Sequence, residues 1–171
     1  MLTERERRMA LGLWGESKAL TLLKRAGFSN VRDMNAESFN HPFGDIYAER
    51  DGEPHMIGVK TRNKYQVTGL LNSTYNVRKK GADVRGIAGR HNAQLAWVTI
   101  QVIPEIQVIW SYFGTIAQIE DCGERFSIPM SASATTRYVC LTNEENDSAI
   151  NPEWSNGGYG RSREAGTGSS R

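Results

Sequence analysis

Two consecutive β-strands joined by a turn constrain the fold of this chain more than any other feature of its sequence. Residues 44–50 and 55–62 have strand character, and residues 51–54 have the composition of a turn. With a four-residue turn, Arg50 faces His55 and Asp45 faces Lys60, so an acid and a lysine share one side of the sheet. The opposite side then collects apolar residues, which are Ile46, Ala48, Ile57 and Val59.

A long amphipathic helix is predicted to precede this hairpin and to cover its apolar side. Thr3 and Glu6 have the spacing of a capping box, and Gly27 is placed to end the helix. Between these limits, apolar residues recur at helical spacing at Met9, Leu13, Leu20 and Leu23. The sequence therefore predicts a helix packed against a strand pair.

Glu16 falls on the predicted apolar stripe of this helix, where a carboxylate has to be explained. If it is buried, it must be paired, protonated or bound to a cation, because an isolated buried charge costs several kcal/mol. The alternative is that Glu16 lies at the edge of the stripe and reaches water. Gly12 and Gly15 each cost about 1 kcal/mol in a helix relative to alanine, so they indicate the close approach of another backbone or a ligand.

The 171 residues predict one domain, over residues 1–150, followed by a flexible tail over residues 151–171. Gly and Ser occupy nine of the 17 positions from 155 to 171. The segment therefore has too few apolar side chains to offset the entropy cost of ordering it. The other expected elements are a weak strand at 29–34, helical pieces at 73–91, a strand pair at 95–102 and 106–113, a short helix near 115–120 and a late strand at 138–141.

Composition limits the cellular setting. No apolar run approaches the ~18 residues of a membrane helix, and the charged start has no apolar stretch typical of a secretory signal. Cys122 and Cys140 are predicted to be buried free thiols in a reducing compartment. We therefore expect a cytoplasmic protein without a membrane segment.

Basic residues are concentrated between Lys60 and His91, although the whole chain has a formal net charge of only +2. Eight Lys and Arg residues stand there against one acid, Asp83, a net charge of +7. Such density favours nucleic acid as partner, because each cation placed at a phosphate releases condensed counterions. The alternative is a solvated basic face balanced by acids folded beside it. The residues expected to bind DNA are Arg62, Lys64, Arg78, Lys79 and Lys80.

Three short motifs in this order resemble the PD-(D/E)XK nuclease superfamily, in particular its Holliday-junction-resolvase-like and restriction-endonuclease-like members. They are Gly15-Glu16 on the opening helix, Gly44-Asp45-Ile46 on a strand and Val59-Lys60-Thr61-Arg62 ending the next strand. The resemblance covers roughly residues 9–113. It implies an α/β, restriction-endonuclease-like fold in which helices, here the first helix and the basic stretch, flank a central mixed β-sheet, and it makes residues 1–150 a nuclease-like domain.

The resemblance also implies a site and a reaction. Asp45 becomes a ligand of Mg²⁺ or Mn²⁺, Lys60 the catalytic lysine and Glu16 the helix carboxylate of a metal-dependent DNA endonuclease. Nucleases of this type often dimerise to cut two strands, so a homodimer is a further expectation.

The sequence departs from the family pattern at Gly58, which stands two residues before Lys60 where the motif has an acid. A metal site is still conceivable with Asp45, the carbonyl of Val59 and Glu16, because Mg²⁺ is usually held by one or two carboxylates with water and phosphate. Three alternatives stay open. Asp45 and Lys60 can form an ordinary cross-strand salt bridge. The chain can be a catalytically inactive nuclease-fold module that binds DNA or a protein, or an interaction domain whose basic face meets an acidic protein.

Overall fold

A computed structural model describes residues 1–37, 44–78, 89–90 and 92–167. The helices are α1 (Glu4–Arg25), α2 (Met34–Glu37), α3 (Ala132–Thr135) and α4 (Gly158–Thr167). The strands are β1 (Ser29–Asp33), β2 (Ile46–Arg50), β3 (Glu53–Asn63), β4 (Thr74–Arg78), β5 (Gln94–Ile103), β6 (Val108–Thr115), β7 (Glu120–Asp121), β8 (Arg125–Pro129) and β9 (Val139–Asn146). Short 3₁₀ turns form at Pro104–Ile106, Ile116–Gln118 and Pro152–Trp154.

A six-stranded mixed sheet forms the centre of the molecule, in the order β1-β2-β3-β5-β6-β9. Only β3 and β5 pair in parallel among these strands; the other neighbours are antiparallel. The predicted α/β class with a central mixed sheet is confirmed. So are the predicted strands near residue 30, at 95–102, at 106–113 and at 138–141, which correspond to β1, β5, β6 and β9.

The β2–β3 hairpin forms, but its register differs from the predicted one by two residues. Arg50 pairs with Glu53 around the two-residue turn Asp51-Gly52, whose φ angles are 52° and 77°. Positive φ at both positions is the conformation that Asp-Gly favours in a tight hairpin, so a four-residue turn is not needed. Because the shift is even, every side chain keeps its predicted face, but Asp45 lies beside Gly58 instead of Lys60.

Helix α1 covers one face of the large sheet, as expected, but with a different stripe. The predicted stripe residues Met9 and Leu13 are 55% and 64% exposed. The residues buried against the sheet are Leu11, Gly15, Ala19, Leu22 and Leu23. The predicted capping box of Thr3 and Glu6 is present. The helix is therefore rotated from its expected orientation, and Glu16 lies half-buried beside the contact line.

Gly15 is the point where α1 comes nearest to β3. A Cβ atom at this position would overlap the hydroxyl group of Thr61, whereas a Cβ at Gly12 would meet no atom within 4 Å. The expectation of a close approach is thus confirmed at Gly15 and wrong at Gly12. The contact sets the distance between the helix that carries Glu16 and the strand that carries Lys60.

Replacing Gly15 by Ala is expected to destabilise the fold by about 1–3 kcal/mol, because the added methyl group overpacks the contact with Thr61. Gly12→Ala is the matched control on the same helix. It should stabilise the protein by up to about 1 kcal/mol through helix propensity alone. Urea unfolding of the two variants measures both changes. A Gly15→Ala protein as stable as wild type would contradict the packing described here.

Ion pairs also fix α1 to the far edge of the sheet. The Lys18 ammonium lies 3.0 Å from a Glu145 oxygen and 2.8 Å from an Asp147 oxygen, and Arg25 bonds to Glu145 as well. The hydrogen bond from Arg25 and those from Thr142 and Lys18 lower the pKa of Glu145 to about 2. These contacts hold the orientation of α1 from the end of β9.

The other face of the large sheet is covered by a small antiparallel sheet with the order β4-β8-β7. Their shared core includes Trp97, Met56, Tyr75 and Phe126. Helical pieces were predicted over 73–91, but residues 74–78 form β4, which pairs along its whole length with β8. Of the rest of that segment, 79–88 and 91 lie outside the described residues.

The C-terminal segment differs from the flexible tail expected from its composition. Residues 158–167 form α4, and the segment bonds to the loop after β3: Asn156 donates to the carbonyl of Tyr65, and Arg161 to that of Val67. A Cβ at Gly158 would collide with the carbonyl of Gln66. Composition missed this because the partners are backbone carbonyls and glycine is required for the approach.

Two smaller expectations concern surfaces. Cys122 and Cys140 are free, as predicted, but both are exposed rather than buried. In the part of the chain that the structure describes, no helix combines the length and the apolar character needed to cross a membrane.

Candidate active site

Asp45 is held at the edge of the large sheet, immediately before β2. Its backbone N–H donates to the carbonyl of Ile57 at 3.0 Å, and its carbonyl accepts from Met34 at 2.9 Å. Its side-chain Oδ2 accepts the N–H of Val59 at 2.7 Å. The carboxylate thus continues the hydrogen bonding of β3 at the point where β2 begins, and its orientation is fixed by backbone groups.

Asn35 connects Asp45 to Glu16. The Asn35 side-chain nitrogen lies 3.2 Å from Asp45 Oδ1 and 3.4 Å from Glu16 Oε2, so one amide group contacts both carboxylates. Asn35 is in the short helix α2, whose start is capped by Asp33: Asp33 Oδ1 accepts the Asn35 N–H at 3.0 Å. Side chains from α1, α2 and the start of β2 therefore converge at one place.

Burial and nearby negative charge together raise the pKa of Glu16 at this place. Desolvation raises the pKa of Glu16, and the nearby charges of Asp45 and Asp33 raise it further. The hydrogen bond from Asn35 and the charge of Lys60 act in the opposite direction. Because the effects that raise the pKa of Glu16 prevail, nearby positive groups do not fully compensate its negative charge. An added cation would therefore stabilise the ionised form of Glu16.

Lys60 belongs to this site, although it does not face Asp45 directly. It lies on β3 two residues beyond Gly58, on the same face of the sheet, and pairs in register with Thr99 of β5. The charge of Lys60 lowers the pKa of Glu16, so Lys60 lies within electrostatic range of that carboxyl group. The structure joins Glu16 and Asp45 through Asn35, and Lys60 acts on Glu16 through its charge.

The donor set fits a two-carboxylate cation site. Across residues 1–37, 44–78, 89–90 and 92–167, no group of three His, Cys, Asp or Glu side chains is arranged to hold a metal. Gly58 adds no ligand. Two carboxylates joined by one amide still suit Mg²⁺, which prefers oxygen donors and is commonly held by one or two carboxylates together with water and substrate phosphate. For Val59, the structure shows the N–H engaged with Asp45.

The predicted DNA-binding residues are distributed unevenly. Arg62 lines a cavity at the end of β3, two residues beyond Lys60. The Lys64 ammonium lies 3.6 Å above the centre of the Trp110 ring, and desolvation lowers the pKa of this lysine. Arg78 ends β4, and Lys79 and Lys80 lie outside the described residues.

Asn35 and Asp33 are the members of the site that the sequence did not reveal. The expected weak strand ran to residue 34 and was followed by a loop, so neither residue was assigned a function. An Asp at the end of a strand is a common N-cap residue and so a helix-start signal. That signal predicts α2, but it does not show that the Asn35 amide reaches two carboxylates from other elements.

Comparisons with known proteins add one result. No family model matches the chain, and no curated protein matches its sequence. Among solved structures, the chain is similar to Hjc, a Holliday junction resolvase from the archaeal hyperthermophile Archaeoglobus fulgidus, with a TM-score of 0.51. The match has 18% sequence identity and covers 75% of this chain and 90% of that chain.

An identity this low establishes the fold and leaves the activity to be argued from the site. The matched resolvase is a nuclease of the PD-(D/E)XK type. The order of helix, strand pair and mixed sheet agrees with this likeness. The chain therefore has an α/β, restriction-endonuclease-like fold similar to that of this resolvase.

Proposed function

We propose that this chain is a divalent-metal-dependent DNA endonuclease whose active site is formed by Glu16, Asp45 and Lys60. One observation carries the proposal: a single amide group, that of Asn35, lies within hydrogen-bonding distance of both Glu16 and Asp45. Lys60 acts electrostatically on the same place. The likeness to a Holliday junction resolvase supports DNA as the substrate class.

Glu16 and Asp45 would hold Mg²⁺ or Mn²⁺. The ion, when bound, lowers the pKa of bound water and neutralises charge that develops on the phosphate. Asn35 now donates to both carboxylates, and turning its amide would present oxygen instead of nitrogen to the same space. The site would then offer two carboxylates and one amide oxygen, a donor set that compensates for Gly58.

Lys60 would act on the phosphate and the attacking water. During hydrolysis a water oxygen bonds to phosphorus, the phosphorus–oxygen bond to the leaving sugar oxygen breaks, and that oxygen takes up a proton. Lys60 sits on a rigid central strand paired with β5, so its charge is positioned before the reaction begins. It would stabilise the growing negative charge and orient the water.

The experiment that tests this function compares wild type with Gly58→Glu on branched, linear and nicked DNA, with Mg²⁺, with Mn²⁺ and with EDTA. Wild type should cut at least one DNA form with metal and none with EDTA. Gly58→Glu restores the acid of the motif beside Asp45, so calorimetry should show about tenfold tighter Mn²⁺ binding than in wild type.

Gly58 is also the observation that favours a second function, a non-catalytic nuclease-fold module that binds DNA or a protein. If wild type binds no metal and cuts no DNA while Gly58→Glu binds metal, the second function is correct and the nuclease proposal is wrong. The homodimer and the cytoplasmic location expected from the sequence stay predictions.

A further inference from the structure

A basic cavity of about 470 Å³ lies at the open end of β3, where Thr61 contacts Gly15 of α1. It is bounded by the first turns of α1, the last residues of β3, the loop that follows and Asn156 of the C-terminal segment. Thr61, which packs against Gly15, is part of its wall. Since Glu16 follows Gly15 in α1, the cavity and the catalytic carboxylates adjoin the same helix–strand contact.

The charge of the cavity is positive. Three arginines line it, Arg7, Arg8 and Arg62, against one acid, Glu4, which is paired with Arg8. Arg7 donates to the carbonyl of Ser155, and Arg62 to the carbonyl of Thr61. Within the described parts of the chain, neither of these two guanidinium groups is paired with a carboxylate. Like charges around one cavity repel unless an anion joins them.

The surroundings of Arg62 agree with the binding of an anion in this cavity. Desolvation lowers the pKa of Arg62, and the charge of Arg8 lowers it further, while Tyr75 acts in the opposite direction. The remaining wall is largely neutral and polar, with the side chains of Asn63, Gln66 and Asn72. Arginine groups with amide side chains suit a phosphate, whose oxygens accept several hydrogen bonds and need no matching apolar surface.

The position of the cavity along β3 identifies the source of the phosphate. Lys60 and Arg62 are two residues apart on one face of the strand, about 6.6 Å by strand geometry. A nucleic-acid strand rises about 3.4 Å per nucleotide along its axis, and neighbouring phosphates lie farther apart than this rise because the backbone winds around the axis, so this distance corresponds to about one to two nucleotides. A strand with its reacting phosphate at Lys60 would therefore bring a neighbouring phosphate to Arg62.

We propose that the cavity of Arg7, Arg8 and Arg62 binds a backbone phosphate of the DNA strand one or two nucleotides from the reacting phosphate. The contact is with the sugar–phosphate backbone, so it positions the strand and does not read base sequence. This inference rests on the proposed function for its substrate, but it concerns binding and not cleavage.

The test measures binding of a short fluorescein-labelled DNA duplex in EDTA by anisotropy, from about 50 to 200 mM NaCl. The triple variant Arg7→Gln/Arg8→Gln/Arg62→Gln should bind at least tenfold more weakly at the lowest salt. Its slope of log K against log salt should be smaller by about 1, since the cavity holds one phosphate and a lost phosphate contact removes about 0.9. A control triple of equal charge change, Lys24→Gln/Arg125→Gln/Arg137→Gln, alters exposed cations outside the cavity and should change both quantities less.

A second variant keeps the proposal testable if the triple variant fails to fold. Glu4→Gln removes the one acid among the described residues of the cavity wall and should tighten DNA binding severalfold. Wild-type affinity and slope in the arginine triple, effects equal to those of the control triple, or no tightening in Glu4→Gln would overturn the proposal. So would binding of inorganic phosphate by calorimetry that depends on the arginines while DNA binding does not. Because EDTA removes cleavage, failure here is distinct from failure of the nuclease proposal.

Discussion

Asp45→Asn is expected to abolish metal binding and to reduce DNA cleavage at least about 100-fold, or about 2.7 kcal/mol of transition-state stabilisation. The amide keeps the size of the side chain, and its oxygen can still accept the N–H of Val59, so the fold should persist. What is lost is one negative charge beside Glu16. With that charge absent, the two-carboxylate site has too few anionic donors for a hard cation.

The measurements are cleavage under single-turnover conditions and Mn²⁺ titration by calorimetry, with Asp51→Asn as the control. Asp51 is in the exposed turn of the same hairpin, and Asn-Gly forms that turn as readily as Asp-Gly. The control should keep wild-type cleavage and metal affinity. Undiminished cleavage by Asp45→Asn would show that the reaction, if present, takes place elsewhere.

Lys60→Ala is expected to separate chemistry from metal binding. Cleavage should fall about 100- to 1,000-fold, because a positioned charge that stabilises the transition state is removed. Mn²⁺ affinity should stay equal to that of wild type or increase, since Lys60 contributes positive charge near Glu16. This combination distinguishes Lys60 from the metal-holding residues.

The control is Lys24→Ala, which removes an exposed lysine from the last turn of α1. It should leave both cleavage and metal affinity unchanged. If Lys60→Ala cuts DNA as fast as wild type, Lys60 has no catalytic part, and its charge near Asp45 and Glu16 serves stability alone. A loss of metal binding in Lys60→Ala would likewise contradict the division of roles.

The hairpin shows how far local sequence reaches in this protein. Alternation of side chains predicted correctly which residues of β2 and β3 face α1, because that pattern survives any even shift of register. The register itself depends on the number of turn residues, and Glu53 and Pro54 have turn-like composition but belong to β3. The predicted pairing of Asp45 with Lys60 was therefore wrong, while the prediction that both lie on one face of the sheet was right.

The local sequence could not predict the elements whose structure depends on residues far away in the chain. Residues 74–78 form a strand because residues 125–129 pair with them, about 50 positions later in the chain. Segment 151–167 is fixed by carbonyls of the loop after β3, which composition does not encode. The rotation of α1 follows from the close contact of Gly15 with Thr61, a property of shape rather than of hydropathy.

In the candidate site, some residues could be predicted from the local sequence and others depend on distant elements. Glu16 could be selected from the sequence because a carboxylate on an apolar stripe is unusual, and Asp45 and Lys60 because the order of their motifs resembles that of PD-(D/E)XK nucleases. Asn35 could not, since its role exists only when α2 is placed beside α1 and the start of β2. When several elements each supply one or two residues to a site, only some of those residues can be predicted from the sequence.

Anomalous diffraction from a crystal soaked in Mn²⁺ shows whether Glu16 and Asp45 share a divalent cation. We expect an anomalous peak within about 2.2 Å of an oxygen of each carboxylate, a typical distance for a small divalent cation. The Asn35 amide should then no longer donate to both side chains as it does in the structure described here. A soaked crystal with these carboxylates still joined through Asn35 and no peak between them would contradict the account.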